Sequence, residues 1–374
     1  MGPSESKRKK QNKKNENEIK NIFGFSKDGI KSCAGQDTYS FFGFEVENTN
    51  IRFMGVYDGH GDKGKEASTF IEKEIKKLVT DNKNKIRKWS LQANSRDMIT
   101  KMFVDGYKKI QNLMKKQDPQ FELSGSCAVS ALLIDKVCYV INLGDSRAVI
   151  GGKLIDNIFA IQMSVDHKPS LPEEMERIKK SGGEVKIPNE GAGGPMRVYK
   201  LNENSPGLAV ARSLGDCYGH ECGVSEEPQV SYRILEDTDE FIVMGSDGIW
   251  DVMNSVEIVG YVFERTNDRA NRVDKDKIAE EIVEECRKRW IIINKFKDNQ
   301  VIERIKNDPT LDMTTKTNLM QTYIKNVNEQ CGYDTSAPTS VVQNMAVFQS
   351  TSTEERFTGK HNIDDITCVI CFFK

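Results

Sequence analysis

Apolar and polar positions change their spacing several times along the chain, and each change marks an element. Residues 1–20 hold almost no apolar side chain before Ile19 and carry Lys7-Arg8-Lys9-Lys10 and Lys13-Lys14. Residues 1–21 are therefore expected to form a disordered basic tail. From Gly24 the pattern turns strand-like. Residues 39–46 and 51–57 are apolar-rich runs around Asn48-Thr49-Asn50, which predicts a hairpin. The second run is expected to break at Asp58-Gly59, a strong turn signal. Two stretches with helical spacing follow: 65–79, with Phe70, Ile71, Ile75, Leu78 and Val79, and 96–114, with Ile99, Phe103, Tyr107, Ile110 and Met114. Strands are predicted again at 126–134, 137–143 and 147–150, with turns at Asp135-Lys136 and Gly144-Asp145.

Residues 166–230 are rich in glycine, proline and charge. A helix is predicted over 172–180, with Pro172 in its first turn and Gly182-Gly183 past its end. The remainder, through Gly191-Ala-Gly-Gly-Pro195, reads as a long loop, a feature that usually carries function. Strand signals recur at 207–211 and 240–245, and helical ones at 255–264 and 276–290. Residues 291–361 are polar with helical patches at 301–305 and 319–327, and read as an insert. Residues 366–373 are almost wholly apolar and predict a central strand. Strands, two helices, then strands again specify an α+β domain over 22–374 with mostly antiparallel sheets, not an alternating βαβ series.

Composition narrows the picture. The 374 residues carry a net charge of −2, with 37% hydrophobic and 29% charged positions. That is the balance of a globular protein with a sizeable core, and no global field favours nucleic acid. No apolar run approaches the roughly 18 residues of a spanning helix. Nine cysteines, several within apolar strand-like runs, read as reduced core thiols of an intracellular protein, cytoplasmic or nuclear. Cys217, Cys222 and the nearby His220 form a weak zinc pattern and read better as unpaired loop thiols. The start, Met1-Gly-Pro-Ser-Glu-Ser6, fits a myristoylation pattern with Gly2 as acceptor, and the basic cluster behind it would assist attachment to a membrane surface. A solvated tail is the competing reading.

Five acids flank apolar strands: Asp37, Asp58, Asp145, Asp247 and Asp364. Each alone reads as a turn residue. As a set at strand ends they read differently, because carboxylates beside buried neighbours must be paired, hydrogen-bonded or metal-bound. Oxygen donors suit hard divalent cations such as Mg²⁺ or Mn²⁺. His60, next to Asp58-Gly59, is either an exposed turn histidine or a group that moves protons near neutral pH.

The ordered stretches Val56-Tyr-Asp-Gly-His-Gly61, Ser124-Gly-Ser126, Asn142-Leu-Gly-Asp-Ser-Arg147, Asp166-His-Lys-Pro169, Ser181-Gly-Gly-Glu-Val185, Ala211-Arg-Ser-Leu-Gly-Asp216, Gly245-Ser-Asp-Gly-Ile-Trp-Asp251 and Asp364-Asp-Ile-Thr367 resemble the metal-dependent serine/threonine phosphatases of the protein phosphatase 2C family. The resemblance implies a four-layer αββα sandwich, two antiparallel sheets flanked by helices. It implies two Mg²⁺ or Mn²⁺ ions with a weaker third, a phosphoprotein substrate and a monomer. Phosphoserine and phosphothreonine would be hydrolysed by direct attack of a metal-bridging hydroxide. On that resemblance Asp58 bridges the metals, Gly59 offers its backbone carbonyl, Asp247 and Asp364 complete the pair, Asp145 and Asp251 hold the third ion, and His60 is the general acid. The chain departs from the family where Gln36-Asp37 replaces an acid pair, where Ser32 takes the place of a phosphate-gripping arginine and leaves Lys31 as the nearest cation, and where Asp365 replaces an asparagine. Gln36 and Asp37 would order the waters around the metals, and Lys31 would grip substrate phosphate. These departures support one alternative, a catalytically silent binding or regulatory relative.

Overall fold

A computed structural model describes residues 21–30, 35–117, 119–188, 194–267, 273–307, 312–319 and 363–373. Gly2, Lys31, the basic tail and the patch at 320–327 lie outside these residues. The elements begin with β1 (Ile22–Lys27), β2 (Thr38–Val46), β3 (Thr49–His60), α1 (Gly64–Ser90) and α2 (Ser95–Lys115). Then come β4 (Gly125–Ile134), β5 (Val137–Leu143), β6 (Arg147–Leu154) and β7 (Asn157–Gln162). The middle of the chain forms α3 (Pro172–Lys180), β8 (Gly183–Lys186), β9 (Arg197–Lys200), β10 (Pro206–Leu208), β11 (Leu214–Gly215) and α4 (Cys217–Glu221). The remainder supplies β12 (Gln229–Ile234), β13 (Asp239–Gly245), α5 (Asp247–Trp250), α6 (Ser255–Asn267), α7 (Ile278–Asn307) and β14 (Ile366–Phe372).

Two antiparallel sheets face each other, one in the order β1-β14-β13-β6-β7 and the other β12-β5-β4-β3-β2, with β11 also paired to β4. Side chains alternate across each strand, so one strand feeds two layers. In β3, Met54 and Val56 point into the space between the sheets, where they meet Ile150, Ile242 and Val369. Phe53 and Tyr57 point the other way, onto Ile71, Ile75, Phe103 and Tyr107 of α1 and α2. On the far side, Val149, Val243 and Ile370 pack against Val262 of α6 and Ile282 of α7. The layers are therefore helix, sheet, sheet, helix, as expected. Among the described residues no helix is long and apolar enough to cross a membrane.

The structure changes several local readings, among them the helix expected over 276–290, which runs on to Asn307. The first turn is Glu47-Asn48, both left-handed (φ 47° and 65°), a two-residue hairpin that lets Val46 pair with Thr49. Asp58-Gly59 is not a turn: it stays in β3, opposite Cys127 and Ser126, and the chain reverses only after Gly61 at φ 81°. The α1 helix runs eleven residues beyond 79, to Ser90, because Ile86 adds one more buried anchor to an otherwise polar stretch. The described parts of the long loop between Asp166 and Asp216, which exclude residues 189–193, form an ordered unit. There β8, β9 and β10 form a small sheet, and Ile178, Val198, Ala211, Cys222 and Val224 build its own core. Cys222 is thus a buried thiol, not a loop thiol.

Candidate active site

All the chemistry-bearing residues that the structure describes arrive at one end of the sandwich. Asp58 and His60 end β3, Asp145 sits in the turn between β5 and β6, Asp247 opens α5 straight after β13, and Asp364 precedes β14. Antiparallel pairing explains the convergence: Gly245, at the end of β13, lies beside Arg147 at the start of β6 and Cys368 near the start of β14.

At the centre, one carboxylate oxygen each from Asp58, Asp145 and Asp247 lie within 4.8 Å of one another. Asp364 stands beside this triangle and raises the pKa of both Asp58 and Asp247 by its charge. Burial is the first cause in each case, followed for Asp58 by Asp247 and for Asp247 by Asp364. Asp251 is raised as well, by burial first. Asp37 is 5% exposed, and among the described residues neither of its carboxylate oxygens has a hydrogen-bond partner of good geometry. Burial, and then the charge of Asp365, push its pKa from 3.8 to about 7, although the side chains of Thr367 and Ser246 work to lower it. These are acids held apart from water with too little positive charge among them.

Among the described residues one ammonium reaches the cluster. Lys168 Nζ pairs with Asp145 Oδ2, and Cys127 Sγ donates to Asp145 Oδ1 at 3.3 Å. The turn carrying Asp145 is locked from beneath. Gly144, at φ 100°, donates its N–H to His167 Nδ1 (3.1 Å), and Asn142 Nδ2 donates to the Gly144 and Val165 carbonyls. Burial first, and then Arg212, hold His167 down at a pKa of about 4.

Gly59 is dictated by its surroundings. A Cβ there would meet the backbone carbonyls of Gly64 and Gln36. The side chain of Gln36 turns towards the same turn, and its Nε2 donates to the Gly61 carbonyl at 2.5 Å. Gln36 therefore braces β3 and the start of α1 through the backbone. Asp365 does comparable work from the other sheet. Its carboxylate accepts from the backbone N–H groups of Gly29 (2.6 Å), Gly35 (2.9 Å) and Gln36 (2.7 Å), pinning both ends of the segment that carries Lys31.

Two contributions escaped the sequence reading. Lys168 lies in a motif noted above but gave no sign that it would enter the acid cluster. Asp216, read only as the end of a loop, accepts from His60 at 2.6 Å. An acid straight after a glycine, Gly215-Asp216, is the one local signal the sequence offers.

The geometry sets the context for likeness to known proteins. A family model described as protein phosphatase 2C matches residues 19–291. A protein of Arabidopsis thaliana named probable protein phosphatase 2C 1 is 34% identical over 242 residues, covering 58% of this chain and 52% of that protein. A second, probable protein phosphatase 2C 61 of the same plant, is 32% identical over 241 residues, covering 63% of this chain and 69% of it. The chain thus spans about half the length of the first of these relatives. Among solved structures, a serine-threonine phosphatase 2C from Toxoplasma gondii superposes with a TM-score of 0.63 at 20% identity, over 94% of each chain, a likeness of fold.

Proposed function

The chain belongs to the protein phosphatase 2C family, and from that premise we propose that it hydrolyses phosphoserine and phosphothreonine in proteins with the help of Mg²⁺ or Mn²⁺. The observation that carries the reading is the triangle of Asp58, Asp145 and Asp247 oxygens within 4.8 Å. Mutual repulsion at that distance is relieved by hard divalent cations, and a donor set made only of oxygen suits Mg²⁺ and Mn²⁺. The buried Asp37 carboxylate beside them, short of hydrogen bonds of good geometry, fits the same need, since a buried acid can satisfy its lone pairs on water held around such an ion.

Asp58, Asp247 and the Gly59 carbonyl would hold the principal ions, with Asp364 beside them and Asp145 and Asp251 towards a further one. Bound there, the cations supply charge neutralisation for the phosphoryl oxygens and acidify water. The chain's own groups do the rest. Gln36 and Gly61 keep the Asp58-Gly59-His60 strand end in place. His60, with its side chain 28% exposed, offers an imidazole at the rim, where it gives a proton to the leaving serine or threonine oxygen. The unit between Asp166 and Asp216 is tied to the acid cluster through Lys168, which pairs with Asp145, and through His167, which accepts from the Gly144 N–H, and from there it would shape which protein segment can approach.

A silent binding protein has no physical need of three carboxylates crowded together, so the enzyme is the better reading. The test is hydrolysis of a phosphothreonine peptide with Mn²⁺, with and without chelator, beside Asp58→Ala. Chelator-sensitive release of phosphate that is lost in Asp58→Ala is expected. A wild-type protein with no such activity would end the proposal.

A further inference from the structure

The segment from Ser213 to Asp216 is built as if to hold one carboxylate still. Asp216 is 1% exposed and sits at φ 42°, ψ 46°, a left-handed conformation that costs a non-glycine residue energy and persists only where the surroundings enforce it. They do so from several sides. Gln111 of α2 takes both backbone groups of Gly215, accepting its N–H and donating to its carbonyl at 2.8 Å each. Gly215 is itself left-handed (φ 87°), and a Cβ there would meet the carbonyl of Ser124. The Asp216 N–H donates to that same carbonyl at 2.9 Å.

The carboxylate held this way has two donors, both on one oxygen. His60 Nε2 lies 2.6 Å from Asp216 Oδ2, and Ser213 Oγ donates to it at 2.5 Å. Among the described residues its Oδ1 is buried without a partner. A buried carboxylate must be paired, and here the pairing group is the imidazole of the residue at the strand end.

We infer that Asp216 is a positioning residue for His60: it fixes the ring and keeps a proton on Nε2, so that the proton delivered to the substrate is the one carried on Nδ1. The inference rests on the phosphatase reading above. In the step it serves, the bond between phosphorus and the serine or threonine oxygen breaks, and its electron pair goes to that oxygen. That oxygen takes the Nδ1 proton, while water supplies the new oxygen of inorganic phosphate. The water's proton leaves to solvent, and the imidazole is reprotonated from solvent. Ser213 shares the carboxylate and orients it. This is the arrangement in which a buried acid sets the tautomer of a working histidine.

Two esters separate the inference from the premise. A phosphothreonine peptide leaves as a poor alkoxide and needs the proton. An aryl phosphate such as p-nitrophenyl phosphate leaves as a stable phenolate and needs it far less. With Mn²⁺, Asp216→Asn is expected to lower kcat on the peptide by about 10²-fold or more, with KM changed little, because an amide at this place favours the wrong tautomer. On the aryl ester the loss should stay within about fivefold, since an acid–base contribution is worth about 10²–10⁴ only where the leaving group demands it. Equal losses on both esters would overturn the inference and leave the phosphatase reading standing. A wild type inactive on both would remove the reading and the inference together.

Because Asp216→Asn could unfold the segment, a measurement on the intact protein accompanies it. The chain has 4 histidines, and ¹⁵N-labelled imidazole signals, with His60 assigned by its loss in His60→Gln, report which nitrogen bears a proton. A protonated Nε2 at His60 is expected, whatever the state of Nδ1. A bare Nε2 in the wild-type protein would overturn the inference even if no variant folded.

Discussion

Asp247 illustrates the conflict within single residues at this site. It is held near Asp58 and Asp145 by the end of β13 and the start of α5, and its carboxylate is pushed well above the usual range by burial and then by Asp364. On the proposed function such a residue would weaken the cation-free fold and strengthen cation binding at the same time, the usual exchange of stability for activity. Asp247→Asn keeps the shape and removes one charge. With chelator present, its melting temperature should rise by roughly 2 °C, equivalent to about 1 kcal/mol in a chain of this size. Its affinity for Mn²⁺, followed calorimetrically, should fall about 100-fold or more. A melting temperature below wild type in chelator would mean that Asp247 has a stabilising partner in the cation-free protein.

The elements around the site are tied together at their ends as well as along their ladders. The start of β14 and the segment after β1 meet through Ile30 and Ile363, whose backbones pair, and through Asp365, which takes three backbone N–H groups. The approach to β2 is then fixed by Ser68 of α1, whose hydroxyl donates to the Gln36 carbonyl at 2.5 Å, and by Lys65, whose Nζ donates to the Asp37 carbonyl at 2.7 Å. Asp365→Ala strips the acceptor from three N–H groups at once. A buried donor left unsatisfied costs about 1–3 kcal/mol, and some of the three can reach water, so urea unfolding should show a loss of about 3 kcal/mol. Asp365→Asn keeps one accepting oxygen and should lose about half of that. Equal stability of all three proteins would place the anchor of this segment elsewhere.

For the molecule as a whole, the proposed function has the acid cluster make stability depend on pH and on cations together. Asp37 has a pKa of about 7 in the folded protein against 3.8 for an ordinary aspartate. The native state therefore keeps a proton that the unfolded chain has already released. That contribution is present at low pH and is lost as pH rises through the window between the two values. Asp58, Asp247 and Asp251 are shifted in the same direction. In chelator, the melting temperature should thus fall between about pH 5 and pH 7.5. Mn²⁺ at a fixed concentration equal to 100 times its Kd at pH 7.5 should add about 2.7 kcal/mol there and less at pH 5, where protons compete for the carboxylates. The same Mn²⁺ effect at both ends of that range would show that the cluster does not couple protons to cations.

Much of this was legible in the chain alone. The apolar runs of β3 and β14 specify strands because central strands are covered on both faces. The spacing of Ile71, Ile75, Phe103 and Tyr107 specifies helices for the same kind of reason. The acids that gather at the site also announced themselves, since a carboxylate flanking an apolar strand needs a partner. Local pattern carries no information on strand order, however, and strand order decided that Asp58, Asp145 and Asp247 share the tightest contact while Asp364 stands beside them. It also decided that Asp58-Gly59 would stay in a strand, because Cys127 and Ser126 of β4 lie opposite to pair with it. Asp216 reaches His60 across 156 positions of sequence. Only a backbone bent into the left-handed region by Gln111, Gly215 and Ser124 could aim it there, and no spacing along the chain encodes that.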